Sequence, residues 1–492
     1  MMSKRVQIRR LVTGIPGFDD LLGGGVPEFS FNLIAGTPGS GKTTLAHQLM
    51  FALAGPARRA LFFTVLGEPA LKMLRYQQQF DFFDFDKLDS SIKFVNLSAE
   101  MIDGNFERVL KRISAEVQEF EPSFVFVDSF RSVVHSARST DQGTSDLQHF
   151  IQQLGMQMTS WQATTFLIGE YQDPAYESGP VFTVADGIIW LSQLVRGDSM
   201  VRKIQLVKMR GVSQKLGTHT FRLDSSGVTV FPRAMLQAPE TEQPSFITGH
   251  RLGLGVLELD AMMGGGIPAG YSALLVGPSG SGKTILTTSF LAEGARLGET
   301  GVIAAFEKSP NQLLSHKLAE LVEQGSVGVI NTRTLDLSLD EILYDLVSMI
   351  KEKKAKRVVI DSLSGFELAL SSIFRDNFRE ALYRLVAVLT GMGATVLMTA
   401  ELEDRYTVLQ FSSYGNAFLA DAIIMQRYVE LNGQFKRVIS VVKVRGSEHS
   451  KDVRFFDIEG DFIKIGERLR GYNGILSGQP FCRKPTRRLR RN

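Results

Sequence analysis

Two short stretches of this chain have the residue types and spacing to hold a triphosphate. They are Gly36-Thr37-Pro38-Gly39-Ser40-Gly41-Lys42-Thr43-Thr44 and Gly277-Pro278-Ser279-Gly280-Ser281-Gly282-Lys283-Thr284-Ile285. Each contains G-x-x-x-x-G-K-T between an apolar run and a helix-forming one, the strand–loop–helix context of a phosphate-cradling P-loop. With no Cβ on the glycines, backbone N–H groups can turn inward on an anion. The helix that follows aims its positive end at the same place. Lys42 and Lys283 are placed to reach the β- and γ-phosphates, and Thr43 and Thr284 to hold Mg²⁺. One glycine-rich loop can be a simple turn; two full-length matches in matched contexts predict two nucleoside-triphosphate sites.

A magnesium ion held by a threonine hydroxyl also needs a carboxylate. Phe124-Val125-Phe126-Val127-Asp128-Ser129 and Arg357-Val358-Val359-Ile360-Asp361-Ser362 supply one each. An apolar run closed by Asp fits a central parallel strand whose carboxyl end carries a Walker B acid. Asp128 and Asp361 are therefore the expected metal partners of Thr43 and Thr284. Two later strands also end in acid, Thr164 to Glu170 and Ala394 to Glu401. Each half closes with Asp-x-Ile-Ile, Asp186 to Ile189 and Asp421 to Ile424, followed by a strand ending in Lys-x-Arg-Gly: Lys208-Met209-Arg210-Gly211 and Lys443-Val444-Arg445-Gly446.

The elements that must position these groups recur in order. Gly14 to Pro27 returns as Gly253 to Pro268, and the P-loops follow at the same offset, so the repeat unit is a whole domain. Short apolar strands follow each P-loop helix, at Ala60 to Val65 and Gly301 to Phe306. Next come amphipathic helices, with Phe106, Val109, Leu110, Ile113, Val117 and Phe120 on one face of the first, and Leu339, Ile342, Leu343, Leu346 and Ile350 on the second. Leu385 to Ala400 reads as a helix end, a glycine stop and a buried strand, too short to span a bilayer. Alternating strands and helices predict an α/β fold: two tandem P-loop domains, each a mostly parallel sheet flanked by helices, with ligands at the carboxyl edge. The late antiparallel section should extend each sheet. Expected boundaries are 1–231 and 247–470, joined by a linker at 232–246 rich in Pro, Glu, Gln and Thr, with a basic, unstructured tail at 471–492.

Composition narrows the class. The 492 residues exceed one domain, and 44% hydrophobic with 22% charged residues is ordinary for a water-soluble protein. A net charge of +3 points to neither nucleic acid nor membrane as partner. One cysteine, Cys482, and no ligand-like histidine spacing argue against disulfides and structural zinc. The N-terminus lacks a signal-peptide core, so a cytoplasmic protein is expected.

The duplicated Gly-Gly-Gly-(Val/Ile)-Pro lead-in, paired P-loops, apolar-Asp-Ser strands and closing Lys-x-Arg-Gly together resemble the KaiC-like ATPases of the RecA superfamily, over roughly residues 5 to 470. The resemblance implies two RecA-like lobes, ATP and Mg²⁺ as ligands, and a homohexameric ring with nucleotide at subunit interfaces. It implies that Lys208, Arg210, Lys443 and Arg445 are fingers reaching the γ-phosphate on the neighbouring subunit. In that family a Glu pair after the second strand activates the attacking water. Here Glu307 is followed by Lys308, and the first half offers only Glu68, displaced, in Val65-Leu66-Gly67-Glu68-Pro69. A single well-placed carboxylate can serve as the base. The circadian members phosphorylate a Ser-Thr pair shortly before the second Asp-x-Ile-Ile. Ala417 and Phe418 occupy those positions, Ser412 and Ser413 do not match them, and no such phosphorylation is expected.

Three functions remain to be weighed. One is a slow, ring-forming regulatory ATPase whose nucleotide state changes which signalling partner docks. Another is a DNA-handling motor, for which Arg131, Arg138, Arg375, Arg379 and the Arg-rich tail are the candidate contacts, without a dense basic cluster. The third is a nucleotide-binding scaffold with a silent first domain, suggested by the displaced Glu68.

Overall fold

The computed structural model describes residues 8–65, 70–88, 90–101, 106–130, 143–172, 180–196, 198–212, 215–233, 250–306, 316–331, 337–375, 377–402, 419–431, 433–473 and 481–482. The chain divides into two compact units, residues 1–233 and 234–492. Each is built on a nine-stranded sheet.

In the first unit the P-loop strand Phe31–Gly36 is central. It pairs in parallel with Thr164–Glu170 on one side and Gly187–Arg196 on the other. Beyond Thr164–Glu170 lie Phe124–Asp128, Ala60–Thr64 and Ile92–Asn96, all parallel. Antiparallel strands Ser199–Met209, Thr218–Asp224 and Gly227–Phe231 extend the opposite side. The central strands are unbroken apolar runs because both faces are covered. Alternate residues serve opposite layers: Phe62, Phe126 and Phe166 face the P-loop helix, while Leu61, Phe63, Val125 and Val127 face the helices Phe106–Phe120 and Gly143–Ser160. Phe126 stacks on Phe62 and Phe166, with centroids 5.9 and 4.9 Å apart. Removing one such ring costs about 3–5 kcal/mol in cores of this kind.

The second unit repeats this plan. Its order is Val327–Asn331, Gly301–Ala305, Arg357–Asp361, Thr395–Glu401, Ser272–Gly277, Ala422–Leu431, Gln434–Val444, Val453–Glu459 and Phe462–Arg468. The helix Leu339–Lys353 carries its own start and stop signals. The Ser338 side chain accepts from Glu341 N–H, Asp340 and Glu341 lie in the first turn, and Lys351 and Lys353 in the last. The stretch from Leu385 to Ala400 resolves as expected into the end of the helix Phe378–Gly391, a left-handed Gly393 (φ 83°) and the strand Thr395–Glu401.

The expected α/β class and tandem, mostly parallel sheets are present, with corrections. The edge strands Ile92–Asn96 and Val327–Asn331 were not predicted. Lys93 interrupts the first apolar run; it can do so because an edge strand lets it reach Glu116, 2.8 Å away. The second Walker B strand is followed by helices Leu363–Ala369 and Ser372–Arg375. The tail is not wholly without structure either, since Tyr472–Asn473 pairs with Phe481–Cys482. Among the described residues, no helix is long and apolar enough to cross a membrane.

Candidate functional site

At the end of the strand Phe31–Gly36 the chain turns sharply into the helix Lys42–Leu53. The turn needs glycine for two separate reasons. Gly41 sits at φ 96° and its counterpart Gly282 at the same value, a left-handed conformation costly for other residues. At Gly36 a Cβ would lie 1.8 Å from the Leu191 carbonyl oxygen, so only glycine lets the loop close against its neighbour strand.

The Lys42 ammonium donates to the Thr37 carbonyl at 2.8 Å. Lys283 donates to the Gly277 and Pro278 carbonyls at 2.8 and 2.9 Å. Both lysines are thus folded back over their loops, where an anion would draw them off weak neutral acceptors. Burial pushes the Lys42 pKa down, and the negative charges of Glu170 and Asp128 oppose that shift. Thr43 donates to Asp128 Oδ2 at 2.7 Å, and Thr284 to Asp361 Oδ2 at 3.2 Å. Hydroxyl and carboxylate oxygens side by side are the hard donors that Mg²⁺ selects. The buried Thr37 and Ser40 hydroxyls have no hydrogen-bond partner. A nucleotide with its metal therefore fits the residues present.

A cavity of about 780 Å³ opens over the first loop, lined by Pro38, Gly39, Gly41, Lys42, Thr43 and Thr44 on one side. Asp128 and Glu170 stand across from them. Over the second loop the cavity is about 300 Å³, lined by Ser279, Gly280, Gly282, Lys283, Thr284, Ile285 and, opposite, Asp361 and Glu401. The second is tighter in part because Ile458 crowds Gly282, with its Cδ1 2.8 Å from where a Cβ would stand; Leu223 comes only to 3.6 Å at Gly41.

The finger candidates lie elsewhere. In the register Gly187 faces Met209 and Ile188 faces Lys208, whereas the P-loop residue Gly36 faces Leu191. Arg210 pairs with Asp186 at 3.1 Å, and Asp186 in turn accepts from the Phe31 N–H. Phe31 begins the strand that Gly36 ends. Five steps of about 3.3 Å put Arg210 roughly 16 Å from its own P-loop. Lys208 donates to the Thr183 carbonyl at 3.1 Å. The second unit matches: Arg445 pairs with Asp421 at 2.9 Å, and Lys443 donates to the Ala420 carbonyl at 2.8 Å. In neither unit does the structure bring these cations to the P-loop of the same unit.

Other expected residues fall differently. Glu68, Glu307, Ala417, Phe418, Ser412, Ser413, Arg131 and Arg138 lie outside the described residues. Arg375 caps the end of the preceding helix, Leu363–Ala369, donating to the Leu370 and Leu368 carbonyls at 2.8 Å each. That guanidinium is engaged locally rather than presented to a polyanion.

Several residues at the sites escaped the sequence reading. Thr399, fully buried, donates to Asp361 Oδ1 at 2.5 Å. Gln426 accepts from the P-loop Ser281 hydroxyl at 3.0 Å. Gln193 donates to the Pro38 carbonyl at 3.3 Å. Glu170 and Glu401 were visible as acids at strand ends, but only the strand order reveals that they stand beside the P-loops.

Comparison with known proteins agrees with this geometry. A family model described as a KaiC ATPase matches residues 11–235 and again 252–470. Circadian clock protein KaiC3 of Synechocystis sp. is 29% identical over 490 residues, covering 96% of this chain and 95% of that protein. Circadian clock oscillator protein KaiC of Rippkaea orientalis is 26% identical, with 96% and 92% covered. That of Synechococcus elongatus is 27% identical, with 97% and 93% covered.

Proposed function

This chain belongs to the KaiC family of ATPases, and from that premise we propose that it is a slow regulatory ATPase working as a homohexameric ring. In this reading each of the domains 1–231 and 247–470, joined by the linker 232–246, binds one ATP. Gly36 to Thr44 and Gly277 to Ile285 cradle the phosphates through backbone N–H groups. Thr43 with Asp128, and Thr284 with Asp361, hold Mg²⁺. The metal, when bound, neutralises charge on the phosphate oxygens.

Lys42 and Lys283 leave their backbone carbonyls to neutralise the triphosphate. Glu68 and Glu307 act as bases: each accepts a proton from the attacking water as its oxygen bonds to the γ-phosphorus and the bond to the β-phosphate oxygen breaks. ADP leaves with that electron pair, and phosphate departs. A neighbouring subunit brings Lys208 and Arg210 to the first site, and Lys443 and Arg445 to the second.

The separation of the finger cations from the P-loop of their own unit is the observation that carries the ring. A cation roughly 16 Å away cannot neutralise charge on the transferring phosphoryl group. Completion by a second copy accounts for two intact P-loops whose own arginines, Arg210 and Arg445, lie out of reach. Light scattering on a sizing column, with and without Mg-ATP and alongside turnover measured across protein concentration, tests this. Assembly and turnover should rise together, and full turnover by a dilute monomer would overturn it.

The ring carries no clock phosphorylation, because Ala417 and Phe418 have no hydroxyl to accept phosphate. Mass spectrometry after incubation with Mg-ATP should find no stoichiometric phosphate on that segment. Nucleotide state would instead select a signalling partner. Nucleic acid is the weaker candidate for that role, given the local engagement of Arg375.

A further inference from the structure

The strands Thr164–Glu170 and Thr395–Glu401 lie between the P-loop strand and the Walker B strand of their units. Each ends in a solvent-exposed glutamate, and the register sets that glutamate directly opposite the first P-loop glycine: Glu170 against Gly36, Glu401 against Gly277. Each lines the nucleotide cavity together with the P-loop lysine, threonine and Walker B aspartate. Neither has been given a role in the reaction above.

We propose that Glu170 and Glu401 discriminate triphosphate from diphosphate, holding the P-loop lysine when the γ-position is vacant and repelling the γ-phosphate when it is filled. This deepens the reading of both loops as ATP sites and rests on it. The glutamates stand on the strand beside the P-loop, at the carboxyl edge where the phosphates must lie. Of the charges that act on Lys42, Glu170 exerts a larger influence than Asp128. A carboxylate that lines the same cavity as the ammonium also faces whatever anion the ammonium grips.

With ADP bound, the lysine can share its charge between the β-phosphate and the glutamate. With ATP bound, it is drawn to the β/γ-bridge, and the glutamate faces like charge. The diphosphate state therefore gains relative to the triphosphate state. Such a residue biases the site towards spent nucleotide and fits a slow enzyme. The same placement in both units makes it a property of the fold rather than of one loop.

The test separates the two sites. Glu170→Gln is made in a Lys283→Ala background and Glu401→Gln in a Lys42→Ala background, each compared with its background alone. Affinities for ADP and for the β,γ-imido triphosphate analogue are measured by calorimetry with Mg²⁺. Glutamine keeps shape and removes charge, so the triphosphate should bind about fivefold more tightly while ADP changes less than twofold, the size expected of one like-charge contact in largely solvated surroundings. Glu170→Asp, which keeps the charge, should stay near the parental ratio. Equal shifts for both nucleotides, no shift, or weaker triphosphate binding would overturn the proposal while leaving the ATP sites standing. If the backgrounds bind neither nucleotide, the reading of the loops as ATP sites fails and this inference falls with it.

Discussion

His47 gives the first unit a built-in sensitivity to acid. It lies on the helix that begins at Lys42, completely buried, with its ring 4.6 Å from that of Phe62 and nearly coplanar. Neither ring nitrogen has a hydrogen-bond partner of normal geometry. Burial pushes the pKa down from 6.5 to about 3, with only a partial offset from the Thr43 backbone. Between those values the unfolded chain holds a proton that the folded unit refuses. Stability is therefore fully present above about pH 6.5 and declines as the pH falls towards about 3. Each pH unit in that window is worth about 1.4 kcal/mol, so at about pH 4.5 the residue alone should have removed about 2.7 kcal/mol. His47→Leu abolishes the titration while keeping an apolar side chain of similar size. Both tryptophans, Trp161 and Trp190, belong to the first unit, so their fluorescence in urea reports that unit by itself. From about pH 7.5 to 4.5 the variant should gain roughly 2–3 kcal/mol on the parent. A difference that stays flat across this range would refute the reasoning, because it would mean that the protonated ring is tolerated. Since Lys42 opens the same helix, retention of nucleotide at the first site should fall in step with the parent's stability.

Other outcomes follow from contacts already described. Arg210→Ala and Arg445→Ala should each cut turnover at their site by about 10³-fold or more with nucleotide affinity little changed; turnover within tenfold of the parent would remove the finger role. Arg357 is almost fully buried and bonds to Glu299 at 2.8 Å and to the Gly253 and Phe290 carbonyls at 2.7 and 3.0 Å. Glu299→Gln deprives that guanidinium of its hydrogen-bonded counter-ion, so the second unit should lose on the order of 3 kcal/mol in chemical denaturation, while the tryptophan transition of the first does not move. Thr399→Val deprives Asp361 of a donor, and the Mg²⁺ needed for nucleotide binding at the second site should rise about tenfold, with Thr399→Ser restoring it. Unchanged magnesium dependence would show that Thr284 suffices to aim the carboxylate.

Local pattern was enough to place the P-loops, the Walker B strands and the parallel core, because those features are contiguous in the chain. The glycine spacing of 36–41 and 277–282 and the apolar runs before Asp128 and Asp361 carry their meaning within ten residues. What escaped depends on pairings distant in sequence. Glu170 becomes a site residue only because its strand lies against Gly36, more than a hundred positions away. Thr399 and Gln426 looked like interior residues of apolar strands until the fold turned them towards Asp361 and Ser281. The edge strand Ile92–Asn96 was hidden by Lys93, whose charge is tolerated because, among the described residues, one flank of that strand pairs with no other strand of the sheet. Divergence between the halves was equally unreadable. Phe124 and Arg357 hold the same place in their strands, one in an apolar cluster and the other in an ion pair.

The five-step span between Phe31 and Gly36 would also set how damage spreads through a population of mixed subunits. If neighbouring chains complete each other's sites as proposed, a chain crippled in its loops would still lend sound cations to the next, and a chain lacking those cations would still offer sound loops. Blended, two inert proteins would regain working junctions wherever the right neighbours meet, in proportion to chance pairing. In such a ring a defective copy would harm or help according to which side its companion occupies.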